Sequence, residues 1–123
     1  MEELYQSDAY ARIVPTWHVE DSPWKSRKIL GAIPHSFYDE VGESVHLLDL
    51  GCGAGEILSR VARGLEQRGL VVDPIGLDIS PHALEMARRR LPCARFIPHT
   101  IEEADLEPGS VDLLLAIDVI EHI

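Results

Sequence analysis

The chain is poor in cysteine, in aromatics and in positive charge, and these shortages exclude several classes of function. Cys52 and Cys93 are the only cysteines. They form no Cys-x-x-Cys spacing, so neither a disulfide framework nor a cysteine zinc site is expected. Lys and Arg number 11 against 21 Asp and Glu, a formal net charge of −10. A field of that sign does not draw nucleic acid without a local basic patch, and no nucleic-acid partner is expected. The one dense basic run, Arg88-Arg89-Arg90, ends a predicted helix, where cations complement the helix dipole. No apolar run approaches the roughly 20 residues that cross a bilayer, so no membrane association is expected. Met1-Glu2-Glu3-Leu4 is acidic and unlike a signal peptide, which makes the cytoplasm the default compartment.

What is present is ordinary globular composition, 46% hydrophobic and 26% charged over 123 residues. That is enough for one domain with one modest core. The few aromatics gather in the first forty residues, at Tyr5, Tyr10, Trp17, Trp24 and Tyr38. Pro15, Pro23 and Pro34 break this part into short pieces. Ser22 and Pro23 read as the N-cap and first turn of a helix whose apolar face includes Trp24, Ile29 and Leu30. Trp17 and Trp24 are expected as core anchors. Residues 1–44 are therefore expected to form a helical flank or lid.

From Val45 the pattern alternates strand and helix. Val45 to Leu50 is a strand, and Glu56 to Arg68 is a helix with the apolar stripe Ile57, Leu58, Val61, Ala62 and Leu65, ended by Gly69. A second strand lies within Leu70 to Asp78, where Pro74 confines the regular part to Ile75 to Leu77 or makes an irregular start. Ser80-Pro81 caps a helix with the stripe Ala83, Leu84, Ala87 and Leu91. Arg95 to Pro98 is a short third strand. Val111 to Ile117, aliphatic apart from Asp112, is a fourth, as for a strand buried on both faces. This order predicts an α/β, doubly wound, mostly parallel sheet. The sequence stops as a further helix opens, which would leave the fourth strand at an edge. A continuation beyond Ile123 is expected on that ground.

The most informative stretch is Leu47-Leu48-Asp49-Leu50-Gly51-Cys52-Gly53-Ala54-Gly55-Glu56-Ile57-Leu58. A Gly-x-Gly-x-Gly turn brings bare backbone close to a small ligand at the carboxyl end of a parallel strand. Gly51 makes the turn, Gly53 permits close approach and Gly55 opens the helix. A dinucleotide fingerprint would be Gly-x-Gly-x-x-Gly, with the pyrophosphate on the helix N-terminus. Here the third glycine comes one residue early, and Glu56 holds the place of the last glycine. With Asp49 on the other flank, the loop reads as acidic and suited to a cation. A nicotinamide-dependent oxidoreductase is disfavoured for the same reasons.

Three further segments fall at strand ends on the same edge. In Gly76-Leu77-Asp78-Ile79-Ser80, an acid ends the second strand, where a carboxylate can accept from both hydroxyls of a ribose. Asp78 could instead help cap the next helix, but Ser80 fits that role. Pro98-His99-Thr100-Ile101-Glu102 follows the third strand, and Ala116-Ile117-Asp118-Val119-Ile120-Glu121-His122 follows the fourth.

On these residues the chain resembles the class I S-adenosylmethionine-dependent methyltransferases. Leu48 to Gly55 is similar to that family's first motif and Gly76 to Ser80 to its second. Val111-Asp112-Leu113-Leu114-Leu115 with Asp118-Val119-Ile120-Glu121-His122 is similar to the fourth-strand motif of many small-molecule members. Pro15-Thr16-Trp17-His18 and Asp21-Ser22-Pro23-Trp24-Lys25 resemble the flank of some bacterial members. The resemblance implies the first four strands of a seven-stranded Rossmann-like fold, with residues 45–123 binding S-adenosyl-L-methionine and a small molecule accepting the methyl group. It implies cofactor contacts from Asp49, Gly51, Cys52, Gly53, Gly55, Asp78, Ile79, Thr100, Ile101 and Asp118. Asp78 would hold the ribose and Ile79 would pack on the adenine. The family often has an acid at the adenine amino group. Thr100 stands there in this chain, which leaves Thr100 or Glu102 as the contact.

Methyl transfer is an in-line displacement in which alignment supplies much of the rate. A general base is needed only if the acceptor must lose a proton, and Asp118, Glu121 and His122 are the candidates. Their i, i+3, i+4 spacing places them on one helix face. It superficially resembles part of the metal site of small-RNA 2′-O-methyltransferases, but related openings occur in metal-free members and no metal is expected. The other reading that stays open is a fragment that binds cofactor and catalyses nothing.

Overall fold

A computed structural model of the chain describes residues 22–107 and 109–116. Two helices, α1 over residues 22–32 and α2 over His35–Val41, lead into the first strand. Then β1 (Ser44–Leu50), α3 (Glu56–Gln67), β2 (Val71–Leu77), α4 (Pro81–Arg90), β3 (Arg95–Ile97), α5 (Ile101–Ala104) and β4 (Leu113–Leu115) follow in order. The four strands form one parallel sheet in the order β3-β2-β1-β4. This is the expected α/β architecture, with β4 at an edge of the described sheet.

The helices form where the sequence places their signals. All five stripe residues of α3 are buried. Its end is a Schellman motif: the N–H groups of Gly69 and Leu70 donate to the Glu66 and Leu65 carbonyls, with Gly69 at φ 90°. Ser80 caps α4 by accepting from the Ala83 N–H at 3.2 Å, and Pro81 occupies the first turn. On one face of the sheet, Val45, Leu47, Phe96 and Leu115 pack beneath Leu58, Val61, Leu65, Leu84 and Ala87. Each fully buried leucine there contributes about 1.5–3 kcal/mol. The described part of the flank packs on this layer, with Ile29, Leu30, Phe37 and Val41 against the same cluster. Among the described residues, the other face, built on Leu48, Ile75 and Leu77, is covered by α5 and the chain around Leu106 and Val111. Leu114 of β4 stays 49% exposed there.

Several expectations need correction. The second strand is regular through Pro74, which pairs with Leu47. The Val71 N–H points to β1 and the Asp78 N–H to β3, so the missing N–H of Pro74 falls on the β3 side. There β3 begins only opposite Ile75, and no ladder bond is lost. Trp24 is not a core anchor but half exposed, with the Lys28 ammonium 5.5 Å from its ring centre. The expected cap Ser22 lies within α1 itself. The fourth strand begins two residues late because Asp112 clamps its entry. The His46 N–H donates to Asp112 Oδ2 at 2.8 Å, and the Asp112 N–H donates to the His46 carbonyl at 2.9 Å. The bond from the His46 N–H lowers the Asp112 carboxyl pKa. Trp17 and the part of the fourth strand at Ile117 lie outside the described residues. Among the described residues, no helix is long and apolar enough to cross a membrane.

Gly76, between β1 and β3, is the tightest close approach on the sheet. A Cβ there would lie 2.7 Å from Cys52 Sγ and 2.7 Å from the Phe96 ring. Gly76→Ala should therefore destabilise the chain by about 1–3 kcal/mol in urea unfolding. Gly31→Ala on α1, where a Cβ meets nothing within 4 Å, should instead stabilise by about 0.5–1 kcal/mol. Equal effects would contradict this account of the packing.

Candidate functional site

The parallel register brings the carboxyl ends of β1 and β2 level, with Leu50 opposite Leu77. The two loops that follow them touch at the carboxyl edge of the sheet, beside the point between β1 and β4 where the strand order reverses and open α/β sheets form the crevice that binds ligands. Gly51, Gly53 and Gly55 have φ of 65°, 55° and 80°, a left-handed path that side chains resist. Gly55 is also the N-cap of α3 and, among the described residues, no side chain caps that helix, so its first turn presents N–H groups toward the loop. A Cβ on Gly55 would lie 3.0 Å from the Ala87 Cβ, so the third glycine also lets α3 and α4 pack closely.

Asp78 joins the two loops. Its Oδ2 accepts from the Gly53 N–H at 2.8 Å and its Oδ1 from the Ser80 N–H at 2.9 Å. A carboxylate offers about four lone-pair sites, so acceptor capacity remains for a further pair of donors. Asp78 thus braces the turn before α4, while Ser80 makes the cap itself. Ile79, the next residue, is 75% exposed, a large apolar side chain at the rim.

Asp49 is the unusual group. It lies in the buried run of β1, only 3% exposed, between Gly76 and Leu115 on the neighbouring strands. Among the described residues none donates a hydrogen bond to its carboxylate. Burial, and secondarily the charge of Asp78, pushes its pKa up to about 8. The same burial, with both acids nearby, raises the Cys52 thiol and so disfavours its thiolate. Cys52 contributes its backbone: its N–H donates to the Leu77 carbonyl at 2.9 Å.

Glu56 does not act as expected. Its carboxylate is held by Arg60 Nε at 2.7 Å and Arg90 Nε at 2.9 Å. The acidity of the crevice comes from Asp49 and Asp78. Arg90 accordingly does more than complement the α4 dipole, since it also donates to the Ala54 carbonyl at 2.8 Å.

In the third loop, Thr100 is the N-cap of α5, a short helix absent from the sequence reading. Its hydroxyl and N–H both meet the Glu103 carboxylate, at 3.0 and 3.1 Å, in a capping box that lowers the Glu103 pKa. The Thr-x-x-Glu spacing was the signal for that helix. Ile101 is its exposed first residue. Asp118, Glu121 and His122 lie outside the described residues. Among those described, no group of three metal-ligating side chains occurs.

Comparison with known proteins accords with this architecture. The profile of a family described as a methyltransferase domain matches residues 47–123. An uncharacterized 37.1 kDa protein of a Streptomyces fradiae transposon is 39% identical over 85 residues, covering 67% of this chain and 23% of that protein. The ubiquinone biosynthesis O-methyltransferase of Methylocella silvestris is 34% identical over 85 residues, covering 66% of this chain and 31% of the enzyme. The chain thus spans about a quarter to a third of the length of these relatives. The plantazolicin methyltransferase BpumL, crystallised with a pentazolic desmethylPZN analog and SAH, superposes with a TM-score of 0.65 at 20% identity, over 91% of this chain and 42% of that one. The strand order, the glycine loop on β1 and the match over residues 47–123 together show that the chain belongs to the methyltransferase domain family.

Proposed function

We propose that the crevice binds S-adenosyl-L-methionine and that the protein passes its methyl group to a small-molecule acceptor. The observation that carries the reading is the pair Asp49 and Asp78 facing bare glycine backbone, with no basic side chain among the described residues drawn to either. The charge of Asp78 repels phosphates, and a cation beside Asp49 would draw its raised carboxyl toward the ionised form. The residues fit the group part by part. The backbone at Gly51, Gly53 and Gly55 admits the methionine end, with Asp49 near it directly or through water. Asp78 has acceptor capacity left for the ribose hydroxyls, and Ile79 offers an apolar surface to the adenine. Thr100, Ile101 or Glu102 would meet the adenine edge, although the Thr100 hydroxyl would first have to leave Glu103. When bound, the cofactor supplies an electrophilic methyl on a sulfonium. The chain supplies position and charge, with Asp118, Glu121 and His122 as candidate bases for acceptors that must lose a proton. The small-molecule class is favoured by the 34% identical O-methyltransferase of ubiquinone biosynthesis.

Isothermal titration with S-adenosylhomocysteine tests the reading. Wild type should bind, and Asp78→Asn should weaken binding about ten- to hundredfold, the worth of hydrogen bonds to a charged group. Absence of binding by the wild type, or equal affinity in the variant, would refute the assignment.

Asp49 generates a second prediction. Its carboxyl titrates from 3.8 in the unfolded chain to about 8 in the folded one, so between those values the folded chain holds a proton that the unfolded chain has lost. Stability from this group therefore falls as pH rises across that window. Without ligand, Asp49→Asn should melt near wild type at pH about 4 and clearly above it at pH about 8. A constant gap between the two melting curves would show that the carboxylate is not desolvated.

A further inference from the structure

We infer that Arg90, on the helix behind the crevice, is a positioning residue for cofactor binding: it fixes the glycine loop through the Ala54 carbonyl and the Glu56 carboxylate. The inference rests on the cofactor reading above and extends it to a residue that touches no ligand.

Glycines lose more conformational freedom on ordering than any other residue, so a loop containing three needs restraint from outside. Most of that restraint comes from β2 and the loop after it. The Cys52 N–H is held by the Leu77 carbonyl at 2.9 Å, and the Gly53 N–H by Asp78 at 2.8 Å. The peptide between Ala54 and Gly55 is fixed differently. The Gly55 N–H donates to the Cys52 carbonyl at 3.0 Å, while the Ala54 carbonyl accepts from Arg90 Nη1 at 2.8 Å. Both ends of this peptide plane are therefore set, and one of them is set from α4. The Arg90 guanidinium is itself oriented, because its Nε donates to Glu56 Oε2 at 2.9 Å while Arg60 takes Glu56 Oε1 at 2.7 Å.

A planar fork that meets a carbonyl and a carboxylate at once suits arginine and not lysine. Its value is geometric, because half-exposed ion pairs add little stability. The neighbouring arginines do other things. Arg89 pairs with Glu85 on the surface and Arg88 donates to the Phe96 carbonyl, so only Arg90 of the three reaches the loop.

The test compares the wild-type chain with Arg90→Ala, Arg90→Lys and Arg89→Ala. Amide hydrogen exchange at Gly55 is read without ligand, and affinity for S-adenosylhomocysteine is read by calorimetry. Arg90→Ala should speed exchange at Gly55 and weaken binding about tenfold, the loss of one charge-assisted hydrogen bond. Arg90→Lys should restore only part of the affinity, and Arg89→Ala should match wild type in both measurements. Unchanged affinity and exchange in Arg90→Ala overturns the inference, even if its melting temperature falls. A wild-type chain that binds no S-adenosylhomocysteine overturns the cofactor reading and this role with it. The ligand-free exchange rates distinguish that failure from failure of the brace.

Discussion

The hydrogen bond from the Gly53 N–H to Asp78 couples two loops that belong to different strand–helix units, and much of the crevice depends on it. It requires β1 and β2 to end level, which their unbroken parallel register ensures. From Asp78 the constraint passes to the Ser80 N–H, and Ser80 starts α4. The far end of α4 carries Arg90, which returns to Ala54 in the glycine loop. Loop, strand end, helix start and helix end thus form a closed circuit of directional contacts around backbone that could not order itself.

Within that circuit the sheet accepts an energetic penalty at one point. Asp49 occupies a core position on β1 where its neighbours in sequence, Leu47 and Leu48, are aliphatic and buried. Once the carboxyl ionises, an uncharged residue would be more stable there, because burial penalises the charge and none of the described residues donates to it. Strain of this kind is found where a site is poised for a ligand and the surrounding structure over-determines the geometry. The hydrophobic layer of α3 and α4 over β1 and β2 does so here.

Much of this was legible in the sequence because the signals were local. The stripe of α3, its Gly69 terminus, the Ser80 cap and the strand–glycine–helix order each depend on residues a few positions apart. What was not legible depended on partners distant in the chain. Glu56 looked like part of an acidic loop because nothing local shows that Arg90 reaches back to neutralise it. Pro74 looked disruptive because its tolerance depends on where β3 begins. Trp24 looked like core because a single turn of α1 does not reveal which face the sheet will take. The short α5 is the exception: its Thr100 and Glu103 signal is local and lies in the sequence itself.

The order in which the strands lie has a consequence for how the chain assembles. The contact that closes the crevice joins residues 25 positions apart, whereas the contact that seats the start of β4 on β1 spans 66. Closing the longer loop costs about 0.9 kcal/mol more in chain entropy, before any difference in stiffness. The β1–α3–β2–α4 unit can therefore reach its native arrangement through short-range encounters, with β4 adding to a crevice whose shape is already set.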